Sequence, residues 1–147
     1  MPIKTFRGLI KSGEVDTIPL HTNNGAMGYR IIKFEVISEF PGKQDTESTV
    51  TISKVPYTEP AYADWKGIDL SDQTILGVAF FGSPQIASAY PIQQVLLFDN
   101  EIFNQDIYIG TLDSQGNAMN YYIELEQVKL DLNENTVATQ KDIRNLS

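Results

Sequence analysis

The stretch Tyr29-Arg30-Ile31-Ile32-Lys33-Phe34-Glu35-Val36-Ile37-Ser38-Glu39-Phe40 decides the fold class. Its even positions Ile32, Phe34, Val36 and Phe40 are apolar, while Lys33, Glu35 and Glu39 alternate with them. A period of two puts those two sets on opposite sides of an extended chain, so the pattern predicts a half-buried β-strand. Pro41-Gly42 ends it. Upstream, Val15 to Leu20 reads as a weaker strand, and Asn23-Asn24-Gly25 is a turn signal that predicts the two strands are arms of one hairpin. Downstream, Thr49 to Val55 alternates β-branched and polar residues, which predicts another strand with one wet face.

From Gln73 to Phe81 the chain is apolar at both parities through Ile75, Leu76, Val78, Ala79, Phe80 and Phe81. Such a run fits a strand covered on both faces, and Val95 to Phe98 repeats it, so both are expected in mid-sheet. Phe103 to Thr111 and Tyr121 to Leu132 flank the turn-forming cluster Asp113-Ser114-Gln115-Gly116-Asn117, which predicts a long hairpin. In its second arm the apolar parity is odd at Tyr121, Ile123 and Leu125 but even at Val128, Leu130 and Leu132. A one-residue slip turns every side chain over, so a β-bulge near Glu126-Gln127 is the simplest repair.

Seven or eight short strands with turns between them predict an all-β, antiparallel two-sheet sandwich of jelly-roll or immunoglobulin-like connectivity. The expected core holds Ile32, Phe34, Val36, Leu76, Val78, Phe80, Leu97, Ile107, Ile109, Ile123 and Leu125. The sandwich takes residues 1–132. Residues 133–147 are polar apart from Val137, Ile143 and Leu146, and read as a C-terminal arm or short helix that contributes to assembly rather than to the domain's own core.

At 147 residues the chain is long enough for one core and too short for two ordinary ones. Its formal charge is unevenly placed. Residues 1–66 hold eight Lys/Arg against eight Asp/Glu, and residues 67–147 hold three against eleven, which accounts for the whole net charge of −8. An acidic half argues against binding a nucleic acid backbone or an anionic membrane through that half. No run approaches the ~20 apolar residues of a membrane-spanning helix, and the N-terminus has no signal-peptide pattern, which sets the expectation of synthesis in the cytoplasm.

The chain has no cysteine and one histidine, His21. That removes disulfide scaffolds, thiolate nucleophiles and Cys/His zinc sites. No Gly-x-Ser-x-Gly elbow is present, and His21 lies beside the Asn23-Asn24-Gly25 turn, the ordinary place for an exposed polar residue. Glu124 and Glu126 share one face of a strand, but the odd neighbours Ile123 and Leu125 take the core side and leave the acids facing water. The sequence therefore reads as a non-enzyme that needs no cofactor. Asp131, Asn133 and Asn135 match the opening oxygen ligands of a calcium loop, with Asp142 at the twelfth position. Thr136 stands where that loop needs glycine, however, and Asp142 where it needs a bidentate Glu. Asp99, Glu101 and Asp106 form a second acidic group without ligand spacing.

Residues 56–66 (PYTEPAYADWK) join two prolines to Tyr57, Tyr62 and Trp65. Rigid aromatic side chains lose little entropy on contact and are enriched at interface cores. This loop is a candidate interaction surface, as are Val137, Ile143 and Leu146 in the arm. The competing reading is that Trp65 caps an open end of the sandwich.

Three strings, Asn24-Gly25-Ala26-Met27-Gly28-Tyr29-Arg30-Ile31-Ile32-Lys33-Phe34, Phe98-Asp99-Asn100-Glu101-Ile102-Phe103-Asn104-Gln105-Asp106-Ile107-Tyr108 and Tyr121-Tyr122-Ile123-Glu124-Leu125-Glu126, resemble small structural proteins of marine bacteriophages. The resemblance implies a virion structural protein, a capsid-associated part such as a decoration protein, minor capsid protein or spike base. Its expected partners are other virion proteins and copies of itself, and its expected location is the virion. The alternative, from the residues alone, is a carbohydrate-binding module, with or without calcium dependence, because sandwiches with Tyr/Trp loops also serve that purpose.

Overall fold

The alternation at residues 29–40 does make a strand, which lies in the smaller of two sheets. A computed structural model describes residues 2–20, 26–41, 46–56, 68, 70–83, 92–98 and 100–130. Its strands, in chain order, are β1 (Ile3–Ile10), β2 (Val15–Ile18), β3 (Met27–Ser38), β4 (Thr46–Ser53), β5 (Ile75–Ser83), β6 (Ile92–Leu97), β7 (Ile107–Asp113) and β8 (Met119–Lys129). No helix occurs among the described residues. The small sheet has the order β1-β8-β3 and the large one β2-β7-β4-β5-β6, with every pairing antiparallel.

The fold is a β-sandwich, and its connectivity is that of a rolled-up ribbon. Strand β1 pairs β8, β2 pairs β7 and β4 pairs β5, as if one long hairpin had been wrapped so that successive rungs fall in opposite sheets. That is jelly-roll connectivity, with one departure. The remaining rung would join β3 to β6, but β6 stays hydrogen-bonded to β5 and passes near β3 without a ladder. On its far side β3 receives a single bridge from Phe103, where Tyr29 N donates to Phe103 O (2.7 Å) and Phe103 N to Tyr29 O (2.9 Å).

Rolling the ribbon overturns both expected hairpins. β2 and β3 lie in different sheets, so they are not the arms of one hairpin, and β7 and β8 are likewise separated; Asn23-Asn24-Gly25 itself lies outside the described residues. The β7 to β8 crossing is organised by Asp113. Its buried carboxylate accepts from Gln115 N (2.7 Å), Asn117 N (3.1 Å), Asn117 Nδ2 (3.1 Å) and Ser48 Oγ. Four donors satisfy a charge that burial would otherwise penalise heavily. Gly116 takes the left-handed conformation there (φ 75).

The inner faces meet in one core of Ile10, Ile18, Tyr29, Ile31, Phe34, Val36, Val50, Ile52, Ala79, Phe81, Phe103, Ile107, Ile109, Met119, Tyr121, Ile123 and Leu125, among others. Ile32 is not in it. The register passes from Ile31 opposite Leu125 directly to Lys33 opposite Glu124, so Ile32 is the extra residue of a β-bulge and is 37% exposed. The bulge therefore lies in β3, not near Glu126-Gln127, and β8 runs unbroken with Ile123 and Val128 on opposite faces. Leu76 is in the core as expected and the partly buried Leu97 packs against it, while Val78 is buried on the outer side of β5 and Phe80 beside it is only partly buried. Two strand readings also change. In β4, Thr49 and Thr51 are buried with Val50 and Ile52, so it has no wet face, and β6 is an edge strand whose Ile92, Val95 and Leu96 are exposed.

Phe34→Ala removes a ring that is 3% exposed and should cost about 3–5 kcal/mol. Ile32→Ala at the bulge should stay within about 1 kcal/mol. Urea denaturation of the two variants reads the contrast directly, and equal losses would contradict the bulge.

Candidate functional site

Two surfaces stand out once the register is known. The first is the outer face of the small sheet, where the three strands bring residues into cross-strand rows. Arg7, Tyr122 and Glu35 form one row, and Leu9, Asn120 and Ile37 the next. These residues, with Gln93 from β6, line a shallow depression of ≈ 770 Å³. Neighbouring rows carry Lys33 beside Glu124 and Arg30 beside Glu126. Arg30 Nε and Nη2 both donate to Glu126 Oε2 (3.1 and 2.9 Å), and Lys33 Nζ lies 3.8 Å from Glu35 Oε1 and 5.8 Å from the centroid of the Tyr122 ring. Arg7 makes no ion pair among the described residues. A guanidinium, a carboxamide, a carboxylate and an aromatic ring around one depression can hydrogen-bond and stack on a polar ligand.

The Tyr122 hydroxyl donates to Glu124 Oε1 at 2.8 Å. That hydrogen bond, with some desolvation and the charges of Glu124 and Glu35, holds the phenol above its ordinary value of 10.0. Burial, then the Asp16 carboxylate, does the same for Tyr121 on the opposite face.

The second surface is the outer side of β5 and β6. Ile68, Leu70, Val78, Phe80, Gln94 and Leu96 line a small apolar depression of ≈ 180 Å³. Ile92 (63% exposed), Leu70 and Ile68 stand open around it. The sequence beneath has an unusual composition: residues 73–98 contain no Asp, Glu, Lys, Arg or His. Edge strands of monomeric proteins are ordinarily blunted by charge, and β6 carries none.

The expected sites fall elsewhere. Tyr57, Tyr62 and Trp65, the arm residues Val137, Ile143 and Leu146, the calcium-loop candidates Asp131, Asn133, Asn135 and Asp142, and His21 all lie outside the described residues. In the second acidic group Glu101 sits 3.7 Å from the buried Lys54 ammonium, and Asp106 Oδ1 accepts from Leu20 N (2.8 Å), so both hold the fold; Asp99 is outside the described residues. No group of three His, Cys, Asp or Glu is placed to hold a metal among the described residues. Glu124 and Glu126 are on the outer face as expected, each engaged by a neighbour. Among the described residues, β8 of the acidic half lies between β1 and β3 of the neutral half and sets its glutamates beside Lys33 and Arg30.

No family model matches the sequence, and no curated protein matches it. Among solved structures, a tailspike protein gp49 from Acinetobacter baumannii bacteriophage Fri1, a capsular polysaccharide depolymerase, is similar over 78% of this chain and 21% of that chain, at 10% identity and a TM-score of 0.24. It is a phage protein, and at this score the likeness decides neither the fold nor the role of this chain.

Raised phenol values have a definite sign. The folded chain holds these protons more tightly than the unfolded one, so the stabilisation is fully present below pH 10 and is lost as pH rises through the raised values. A phenolate absorbance titration should show Tyr121 and Tyr122 among the late-titrating tyrosines, and Tyr122→Phe should remove one late phenol. Loss of an early one would contradict the Glu124 hydrogen bond.

Proposed function

We propose that this chain is a capsid-associated structural part of a virion, held in place through contacts with other protein chains. The observation that carries the reading is the open, uncharged side of β5 and β6. Water-exposed apolar side chains grouped around an apolar depression mark surfaces that another chain covers. In a chain of net charge −8, strands β5 and β6, which carry no charged residue, are where a neighbour approaches with the least electrostatic cost. Jelly-roll connectivity recurs in viral capsid domains, which agrees with the reading but on its own would leave function open. The three phage-like strings point the same way.

The chain should be found by mass spectrometry among the proteins of purified virus particles. Leu96→Asp, which charges the apolar strip at an exposed position, should leave far-UV circular dichroism and melting temperature within experimental scatter while cutting incorporation into particles at least tenfold. Undiminished incorporation would remove this strip from the assembly.

The depression around Tyr122 favours a second reading, a saccharide-binding module. Planar polar side chains beside an aromatic ring suit vicinal hydroxyl groups, and jelly rolls also build lectin domains. On that reading the isolated protein binds a soluble oligosaccharide as a monomer, and Tyr122→Ala weakens binding at least tenfold in calorimetry. No binding across a panel of neutral and acidic oligosaccharides would reject it.

A further inference from the structure

We infer that the β6 edge is a self-pairing surface, on which a second copy of this chain adds its own β6 antiparallel about a twofold axis at Gln94. The inference rests on the protein-contact reading of this strip and names the occupant. A strand can accept a neighbour only through backbone groups left free, and the hydrogen-bond phase of β6 is fixed by Phe98 N donating to Leu76 O. In an antiparallel ladder residues two apart point their N–H and C=O the same way. Ile92, Gln94 and Leu96 therefore bond toward β5, opposite Gly82, Phe80 and Val78. Gln93, Val95 and Leu97 point theirs away, to a side that pairs with no strand among the described residues.

A twofold axis at Gln94 makes this free side complementary to itself. It sets Gln94 opposite Gln94 of the second copy as a non-hydrogen-bonded pair. Gln93 N–H and Val95 C=O of each copy then meet Val95 C=O and Gln93 N–H of the other, which closes the ladder. On the outer face the same axis sets the exposed Ile92 opposite the second copy's Leu96, beside the apolar depression formed by Val78, Phe80, Ile68 and Leu70. Moving the axis to Val95 would instead oppose Gln94 to Leu96 on that outer face, an amide against an apolar group, whereas the axis at Gln94 pairs like with like there and leaves only Gln93 opposite Val95 on the other face. An isologous contact needs one patch to suit itself in this way.

Charge selects a second copy here and nowhere else in the described structure. Two chains of −8 repel, and the other sheet edges carry charged side chains: Asp16 on β2, Lys4 and Arg7 on β1, Arg30, Lys33 and Glu35 on β3. Only β6 presents an edge without them. Salt screens the repulsion without weakening an uncharged interface, so self-association should tighten as ionic strength rises.

The absence of cysteine permits a direct test with the full chain. In a non-hydrogen-bonded antiparallel pair the Cα atoms are about 4.5 Å apart, within disulfide reach. Gln94→Cys should cross-link to a covalent dimer under mild oxidation at least tenfold faster than Gln115→Cys, an exposed control in the β7 to β8 crossing. Sedimentation equilibrium of the unmodified protein should show a monomer–dimer equilibrium that shifts toward dimer from low to high salt and is abolished by Leu96→Asp. Equal cross-linking rates, or a dimer that weakens with salt, overturn self-pairing. If cross-linking fails while Leu96→Asp still blocks incorporation into particles, the strip meets a different protein and only the present inference falls. If neither effect is seen, the protein-contact reading falls with it.

Discussion

The two sheets are tied together where the chain leaves β7 and enters β8. Both are interior strands, β7 between β2 and β4 and β8 between β1 and β3, so the crossing at residues 113–118 joins an interior strand of the large sheet to the central strand of the small one. A chain turning through the sandwich edge exposes backbone donors that no ladder can satisfy. Asp113 gathers them: its carboxylate takes the amides of Gln115 and Asn117 and the Asn117 side chain, and Ser48 fixes it to β4. Hydrogen bonds to a buried charge are worth roughly 1.5–3 kcal/mol each when intact. Without this arrangement the inner row of Tyr121, Ile123 and Leu125 would lose its register against β1 and β3, and with it the rows on the opposite face.

Element type was legible in the residues, and sheet membership was not. Alternation in 29–40 and the doubly apolar run in 75–81 describe what each strand faces locally. Asn23-Asn24-Gly25 and Asp113-Ser114-Gln115-Gly116-Asn117 announce a change of direction, but a change of direction does not say which sheet receives the next strand. In a rolled ribbon the receiver is mostly the other sheet, and both expected hairpins fail for that one reason. Ile32 fails for a related one. Its parity matches Phe34 and Val36, and only pairing against β8 reveals that the backbone inserts a residue there.

The same limit governs the surfaces. The gap in charge across residues 73–98 is visible in the sequence as composition. That it lies on an edge depends on β6 remaining with β5, which no local pattern encodes. Arg7, Tyr122 and Glu35 come from widely separated positions and share a row only through the registers Arg7 to Tyr122 and Glu35 to Tyr122. The net charge of −8 belongs entirely to residues 67–147 of the sequence. Strand β8 carries two of those acids between two strands of the neutral half, so acids and bases alternate across one face.

The rung that closes the ribbon pairs β1 with β8, the first and last strands among the described residues, Ile3 lying opposite Glu126. During synthesis at about 5–20 residues per second, β1 is therefore made roughly 6–25 seconds before the strand that completes its ladder. Until then the small sheet does not exist, because β8 is its only link between β1 and β3. The uncharged β5–β6 segment leaves the ribosome inside that interval, and the chain must carry its least soluble stretch through the period when its fold is least complete. Contacts this distant in sequence also place the domain among slow folders, in the millisecond-to-second range.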